Sequence, residues 1–150
     1  MGGNARIIII DDDENIRKIL STILQEEGYT VDTVNTGKEG IRKTNENCYN
    51  LALIDMKLPD IEGIGLLLKI KDTTPHMRKI IITGFPTIQN AMEAVNRRAD
   101  AFILKPFEVE KVLQTIREQL RKQEEDRQFS QDKVAAFIET RAKELEMQDS

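Results

Sequence analysis

Four uninterrupted apolar runs punctuate the chain: Ile7-Ile8-Ile9-Ile10, Leu51-Ala52-Leu53-Ile54, Ile80-Ile81-Ile82 and Ala101-Phe102-Ile103-Leu104. A strand covered on both faces has no polar side to show, so such runs read as central strands of a buried parallel sheet. Between them, apolar residues recur at helical spacing. Ile16, Ile19, Leu20, Ile23 and Leu24 predict a helix over 14–27, with Asp13 as its N-cap and Gly28 as its C-cap. Val31 and Val34 mark a short strand within 29–35, and Thr36-Gly37 reads as a turn. A weaker helix follows over 38–47, because Gly40 and two asparagines lower the propensity. Residues 64–71 form a packed helix stopped by Asp72-Thr73-Thr74-Pro75, and Ile88, Ala91, Met92 and Val95 place another at 87–98. Strand and helix thus alternate five times, which predicts a doubly wound α/β fold, a parallel sheet covered by helices on both faces.

The last helical stripe, Val109, Val112, Leu113, Ile116 and Leu120, meets a stretch without an apolar residue at 121–128 and resumes at Phe129, Val134, Phe137, Ile138 and Leu145. One continuous helix over 108–148, ~60 Å long, and two helices broken near Ser130 or Asp132 both fit this pattern. We therefore divide the chain into a domain over 1–121 and a helical tail or linker over 122–150. The later apolar residues call for a partner surface, and self-association as a homodimer is the expectation for this helix.

Composition narrows the classes. With 150 residues, 39% apolar, 32% charged and a net charge of −4, the chain can bury one sizeable core, and it gives no electrostatic reason to bind nucleic acid or a membrane. Arg97, Arg98, Arg117 and Arg121 are scattered among acids rather than gathered in a patch. A single cysteine, Cys48, forms no internal disulfide, and no stretch approaches the ~20 apolar residues of a membrane span, so a cytoplasmic protein is expected.

Chemistry is concentrated at the carboxyl ends of the apolar runs, where open parallel sheets bind ligands. They end in Asp11-Asp12-Asp13, in Asp55, in Thr83 and in Lys105-Pro106. Two ionised carboxylates ~4 Å apart repel by about 4 kcal/mol at an effective dielectric near 20, so converging acids ask for a cation. Oxygen donors without His or Cys suit Mg²⁺ or Mn²⁺. With a divalent ion present, Thr83 and Lys105 have the hydroxyl and ammonium to bind a phosphoryl group, and Asp55 has the carboxylate to form an acyl phosphate. A single strand-end acid is most often a capping residue, and Asp13 is read that way; a consistent set at four strand ends is not.

The ordered motifs Ile-Ile-Ile-Ile-Asp11-Asp12, Leu-Ile-Asp55-Met-Lys-Leu-Pro59 with Gly63, Ile-Ile-Thr83-Gly84 and Lys105-Pro106-Phe107 resemble the receiver domain of two-component response regulators over about residues 5–121. The resemblance implies a flavodoxin-like five-stranded sheet of order 2-1-3-4-5 with a C-terminal helical extension. It further implies Asp55 as phosphoacceptor, and Mg²⁺ held by Asp12, Asp55 and the backbone carbonyl of Lys57, with Asp11 acting through metal-bound water. Thr83 and Lys105 would contact the phosphoryl group, and the bond before Pro106 would be cis. Phe102 occupies the aromatic switch position; a half-buried strand residue is the alternative for it. Lys57 and Phe85 flank the path of water to an acyl phosphate, where they would retard hydrolysis.

The implied partner is a sensor histidine kinase or phosphotransfer protein. The rival is a pseudo-receiver scaffold that never carries phosphate. A haloacid-dehalogenase-type phosphatase needs an acid where Lys57 stands, and nucleotide binding lacks a phosphate loop, since Gly63-Ile64-Gly65 follows the wrong strand. His76 is not expected to be a phosphorelay or metal ligand. The segment Thr83 to Phe107 resembles receivers attached to enhancer-binding ATPase regulators, so the front of a longer regulator and a stand-alone receiver are both open.

Overall fold

The computed structural model describes residues 5–73, 75–84, 92, 96 and 99–149. In chain order it contains β1 (Arg6–Ile10), α1 (Glu14–Glu26), β2 (Thr30–Val34), α2 (Gly37–Glu46), β3 (Leu51–Asp55), α3 (Gly63–Lys69), β4 (Arg78–Thr83), β5 (Ala101–Leu104) and α4 (Val109–Asp149). The strands form one parallel sheet in the order β2-β1-β3-β4-β5, the doubly wound, flavodoxin-like arrangement expected. The helix expected over 87–98 lies, but for Met92 and Asn96, outside the described residues.

Alternate residues of each strand serve opposite faces, and both faces are dry. Ile7, Ile9, Leu51, Leu53, Ile80 and Ile82 pack with Leu20 and Leu24 of α1 and Val112, Leu113 and Ile116 of α4. Ile8, Ile10, Ala52, Ile54 and Ile81 pack with Leu66 and Leu67 of α3. Each fully buried isoleucine contributes roughly 1.5–3 kcal/mol of hydrophobic stabilisation. These two layers fix the register, because a one-residue slip would expose a whole face.

Local chemistry explains the ends of the helices. Asp13 caps α1 by accepting from the backbone N–H groups of Asn15 and Ile16, and Gly28 follows it at φ 95°, a conformation open to glycine. Thr36-Gly37 is the start of α2 rather than a separate turn: Thr36 Oγ1 accepts from Glu39 N–H, and Asp60 accepts from the N–H groups of Gly37 and Lys38. Gly40, which weakens α2 by propensity, lets the helix approach β1, since a Cβ there would lie 2.6 Å from Ile10 Cδ1. Helix α3 is shorter than the 64–71 expectation, ending at Lys69.

Of the two alternatives for the C-terminal region, the structure has the single helix. α4 runs 41 residues without a break, ~60 Å. Its polar stretch does not end the packing on the body. Buried Gln123 donates through Nε2 to the carbonyls of Asn50 (2.9 Å) and His76 (2.7 Å) and accepts from Asn50 Nδ2 (3.2 Å). Gln119 Nε2 donates to the Asp100 carbonyl at 3.3 Å, and Arg78 bridges Asp100 and Asp126. The body therefore holds α4 as far as Asp126, five residues beyond the boundary drawn at Arg121.

Candidate functional site: an acid cluster at the carboxyl end of the sheet

The strand register assembles the site. Ile10 pairs with Ile54, so the residues after them, Asp11 and Asp55, emerge side by side at the boundary between β1 and β3. Asp55 pairs with Ile82, one residue before Thr83, and Thr83 pairs with Leu104, one residue before Lys105. All strands are parallel, so all four side chains leave from the same edge. Chain order reverses here, β1 leading to β2 on one side and β3 to β4 on the other, which leaves a crevice for a ligand.

Carboxylate oxygens of Asp11, Asp12 and Asp55 lie within 4.8 Å of one another. Asp11 and Asp55 are buried, and Asp12 is exposed. Lys105 Nζ stands 3.1 Å from Asp11 Oδ2 and 3.5 Å from Asp55 Oδ1. Asp11 Oδ1 also accepts from the Asp13 N–H (2.9 Å), and its carbonyl accepts from Arg17 Nη1 at 2.7 Å. Asp55 Oδ1 accepts a long bond, 3.4 Å, from the Lys57 N–H.

One ammonium does not neutralise three carboxylates. Burial, then the charge of Asp11, pushes the Asp55 carboxyl up to about 6, although Lys105 and the Lys57 N–H work in the opposite direction. Burial alone would lower Lys105; the hydrogen bond and charge of Asp11, with Asp55, outweigh it and hold the ammonium above its ordinary value. Among the described residues, Lys105 is thus paired with two of the three carboxylates of the cluster. Its donors are all oxygen, hard ligands that fit Mg²⁺ or Mn²⁺ better than a softer ion.

Thr83 is fully buried at the end of β4, and its carbonyl accepts from the Lys105 N–H at 2.7 Å. The Lys105–Pro106 bond is cis. Phe102 lies half-buried on β5 against the core layer that contains Ile81. The Lys57 side chain is exposed, and Phe85 lies outside the described residues. His76 is remote from the cluster; its Nε2 sits 3.3 Å from Asp100 Oδ2 near the opposite end of β4. Cys48 is exposed. Sequence reasoning missed Arg17, which steadies Asp11 from α1; a lone arginine on the polar side of an amphipathic helix carries no signal that would have singled it out.

A 2-1-3-4-5 parallel sheet with buried acids facing a lysine at its switch point defines a flavodoxin-like domain. Residues 7–117 match the family described as response regulator receiver domain, and the chain belongs to that family: it is the receiver domain of a two-component response regulator. It is 36% identical over 120 residues to the response regulator ArlR of Staphylococcus saprophyticus, which covers 79% of this chain and 53% of that one. The chain spans about half the length of the curated relatives it matches. Among solved structures it resembles a CheY-like receiver domain protein from Methanospirillum hungatei, at 42% identity and TM-score 0.78, over 81% of this chain and 98% of that one. It also resembles NtrX from Brucella abortus, at 28% identity and TM-score 0.79, over 85% of this chain and 29% of that one. Among the described residues no helix is long and apolar enough to cross a membrane.

Proposed function

We propose that this receiver is a phosphorylation-controlled switch in a cytoplasmic two-component relay, taking a phosphoryl group onto Asp55 from a sensor histidine kinase or phosphotransfer protein. The observation that carries the reading is the crowding of three carboxylates at the switch point, two of them, Asp11 and Asp55, paired with Lys105. Asp11, Asp12, Asp55 and the Lys57 carbonyl would hold Mg²⁺ or Mn²⁺, with Asp11 acting mainly through bound water. Bound there, the divalent cation supplies neutralisation of charge on the phosphoryl oxygens.

The chain's own groups do the rest. An Asp55 oxygen attacks phosphorus in line; as the O–P bond forms, the bond from phosphorus to the donor imidazole nitrogen breaks and the nitrogen leaves with its electron pair. Lys105 supplies a fixed positive charge to the transferred group and Thr83 a hydroxyl donor. Drawing Thr83 toward the phosphoryl group alters the end of β4, and Phe102 on the neighbouring strand is placed to follow. A switch from roughly 1:99 to 99:1 requires ~5.5 kcal/mol of differential interaction, which a dianion beside Thr83 and Lys105 is of the right order to supply.

Incubation with acetyl phosphate and Mg²⁺, followed by intact mass, tests this. The expected gain is about 80 Da in wild type and none in Asp55→Asn. A wild-type chain that gains no mass would instead be a scaffold that carries no phosphate.

A further inference from the structure

The segment from Met56 to Glu62, between β3 and α3, folds back on itself. An antiparallel bridge between Lys57 and Glu62 closes its base just after Asp55 and leaves Leu58 to Ile61 as its tip. The tip is fastened to another element. Asp60 Oδ1 accepts from the Gly37 N–H at 2.8 Å and Asp60 Oδ2 from the Lys38 N–H at 2.9 Å, so both oxygens of one carboxylate serve the first turn of α2. Ile61 presses on the same turn: a Cβ on Gly37 would overlap Ile61 Cγ2. Leu58 and Ile61 also pack against the core layer that contains Ile10 and Ile54.

Three features make this contact more than a helix cap. Helix α2 already has a local cap, Thr36, whose Oγ1 takes the Glu39 N–H, whereas Asp60 reaches the helix from 23 and 22 positions away. At its α3 end the loop gains no such hold, because Glu62, the N-cap of α3, makes no side-chain capping bond. The Gly37 N–H and then the Lys38 N–H hold the Asp60 carboxyl below its ordinary value, so it is ionised at neutral pH and offers both oxygens where a helix N-terminus favours negative charge.

We propose that Asp60 is a positioning residue for the divalent cation, an inference that rests on the reading of the site given above. Asp60 and Ile61 hold the tip of the loop, and the Lys57–Glu62 bridge carries that constraint to the base, which sets where the Lys57 carbonyl stands relative to Asp55. Of the oxygens assigned to the cation, the carboxylates belong to residues at or just beyond the ends of β1 and β3, while the Lys57 carbonyl belongs to the loop. A backbone oxygen has no side-chain torsions with which to find its place, so its position is only as exact as the segment that carries it. Asp60, with both oxygens engaged at α2, acts through the loop rather than on the cation.

Mg²⁺ titrations of the full 150-residue chain, followed by the backbone amide resonances of Asp55 to Leu58, read the affinity without any phosphoryl transfer. Asp60→Ala should raise the Mg²⁺ Kd about tenfold, the size typical of losing a group that orients a metal ligand. Asp60→Asn loses the same charge but keeps an oxygen for one N–H, and should restore most of the affinity. Gly37→Ala keeps the carboxylate but drives Ile61 and the tip away from α2, and should weaken Mg²⁺ as Asp60→Ala does. Each Kd is read well below that variant's metal-free thermal midpoint, so lost capping strength alone leaves it unchanged. A wild type whose amides do not move with Mg²⁺ overturns the cation site itself, and the anchor with it. A wild type that binds Mg²⁺ while Asp60→Ala binds it equally well overturns the anchor alone. Equal weakening in Asp60→Ala and Asp60→Asn, with Gly37→Ala at the wild-type Kd, also overturns it, because the loss would then be one of charge and not of the tether.

Discussion

The two ends of the sheet handle charge in opposite ways. At the amino end, acids are paired: Asp32 accepts from Tyr49 Oη (2.5 Å) and Arg6 Nη2 (3.1 Å), and Asp100 accepts from Arg78 and from the Lys79 N–H. Burial would raise the Asp32 carboxyl, but the hydrogen bonds from Tyr49 and Arg6 outweigh it and hold it below the usual range. At the carboxyl end, Asp11, Asp12 and Asp55 cluster with Lys105 paired to two of them, and Asp55 is pushed up to about 6. One end uses charge to hold the fold together; the other, among the described residues, crowds acids at a cost in stability, which is what a cation in the proposed site would relieve.

The largest effect expected from this contrast is a stabilisation. Asp55 has a folded-state value above its unfolded one, so the native chain binds the extra proton and stability falls as pH rises from about 4 to about 6. Above that window the whole penalty is present. In metal-free protein at pH 7.5, Asp55→Asn should therefore raise unfolding stability by about 1–3 kcal/mol in urea titrations, with the gain vanishing near pH 4. A loss of stability at pH 7.5 would break the comparison.

Next in size is Gln123→Ala at the other end. It strands the His76 carbonyl and the Asn50 Nδ2 donor, while the Asn50 carbonyl keeps the Arg78 N–H, and should cost roughly 1–2 kcal/mol, measured the same way, independent of pH between about 5 and 8. Smallest is Tyr49→Phe, at about 0.5–1.5 kcal/mol near neutrality. Here the sign is opposite to that of Asp55. Asp32 is held below its ordinary value of 3.8, so its contribution is present above that pH and is lost as pH falls through the depressed value. Wild type and Tyr49→Phe should converge in strong acid.

These asymmetries bear on what the chain's sequence makes legible. Ile7 to Ile10 and Leu51 to Ile54 are readable as buried strands because nothing in them needs water, and the acids that follow are conspicuous against so apolar a background. The carboxyl-end cluster is therefore visible before any folding is considered. The amino-end network is not. Gln119, Gln123 and Asp126 look like a solvated helix face, since a buried glutamine and an exposed one leave the same mark in a sequence. Only the carbonyls of Asn50, His76 and Asp100, supplied by distant segments, reveal that these residues dock α4. For the same reason one helix and two fitted the region after Arg121 equally well. Gly40 misleads similarly, since its helix penalty is local while its benefit, room for Ile10, lies on another element.

The claim that the carboxyl end is a charge deficit meant for a divalent cation is tested most directly by Mg²⁺-dependent stability at pH 7.5, measured by thermal unfolding of wild type and Asp55→Asn. At a hundred times its Kd, Mg²⁺ should stabilise wild type by ~2.7 kcal/mol, a rise of about 5–10 °C, and should leave Asp55→Asn within about 1 °C of its metal-free midpoint. A wild-type midpoint that does not move with Mg²⁺, or one that moves equally in both chains, would contradict it.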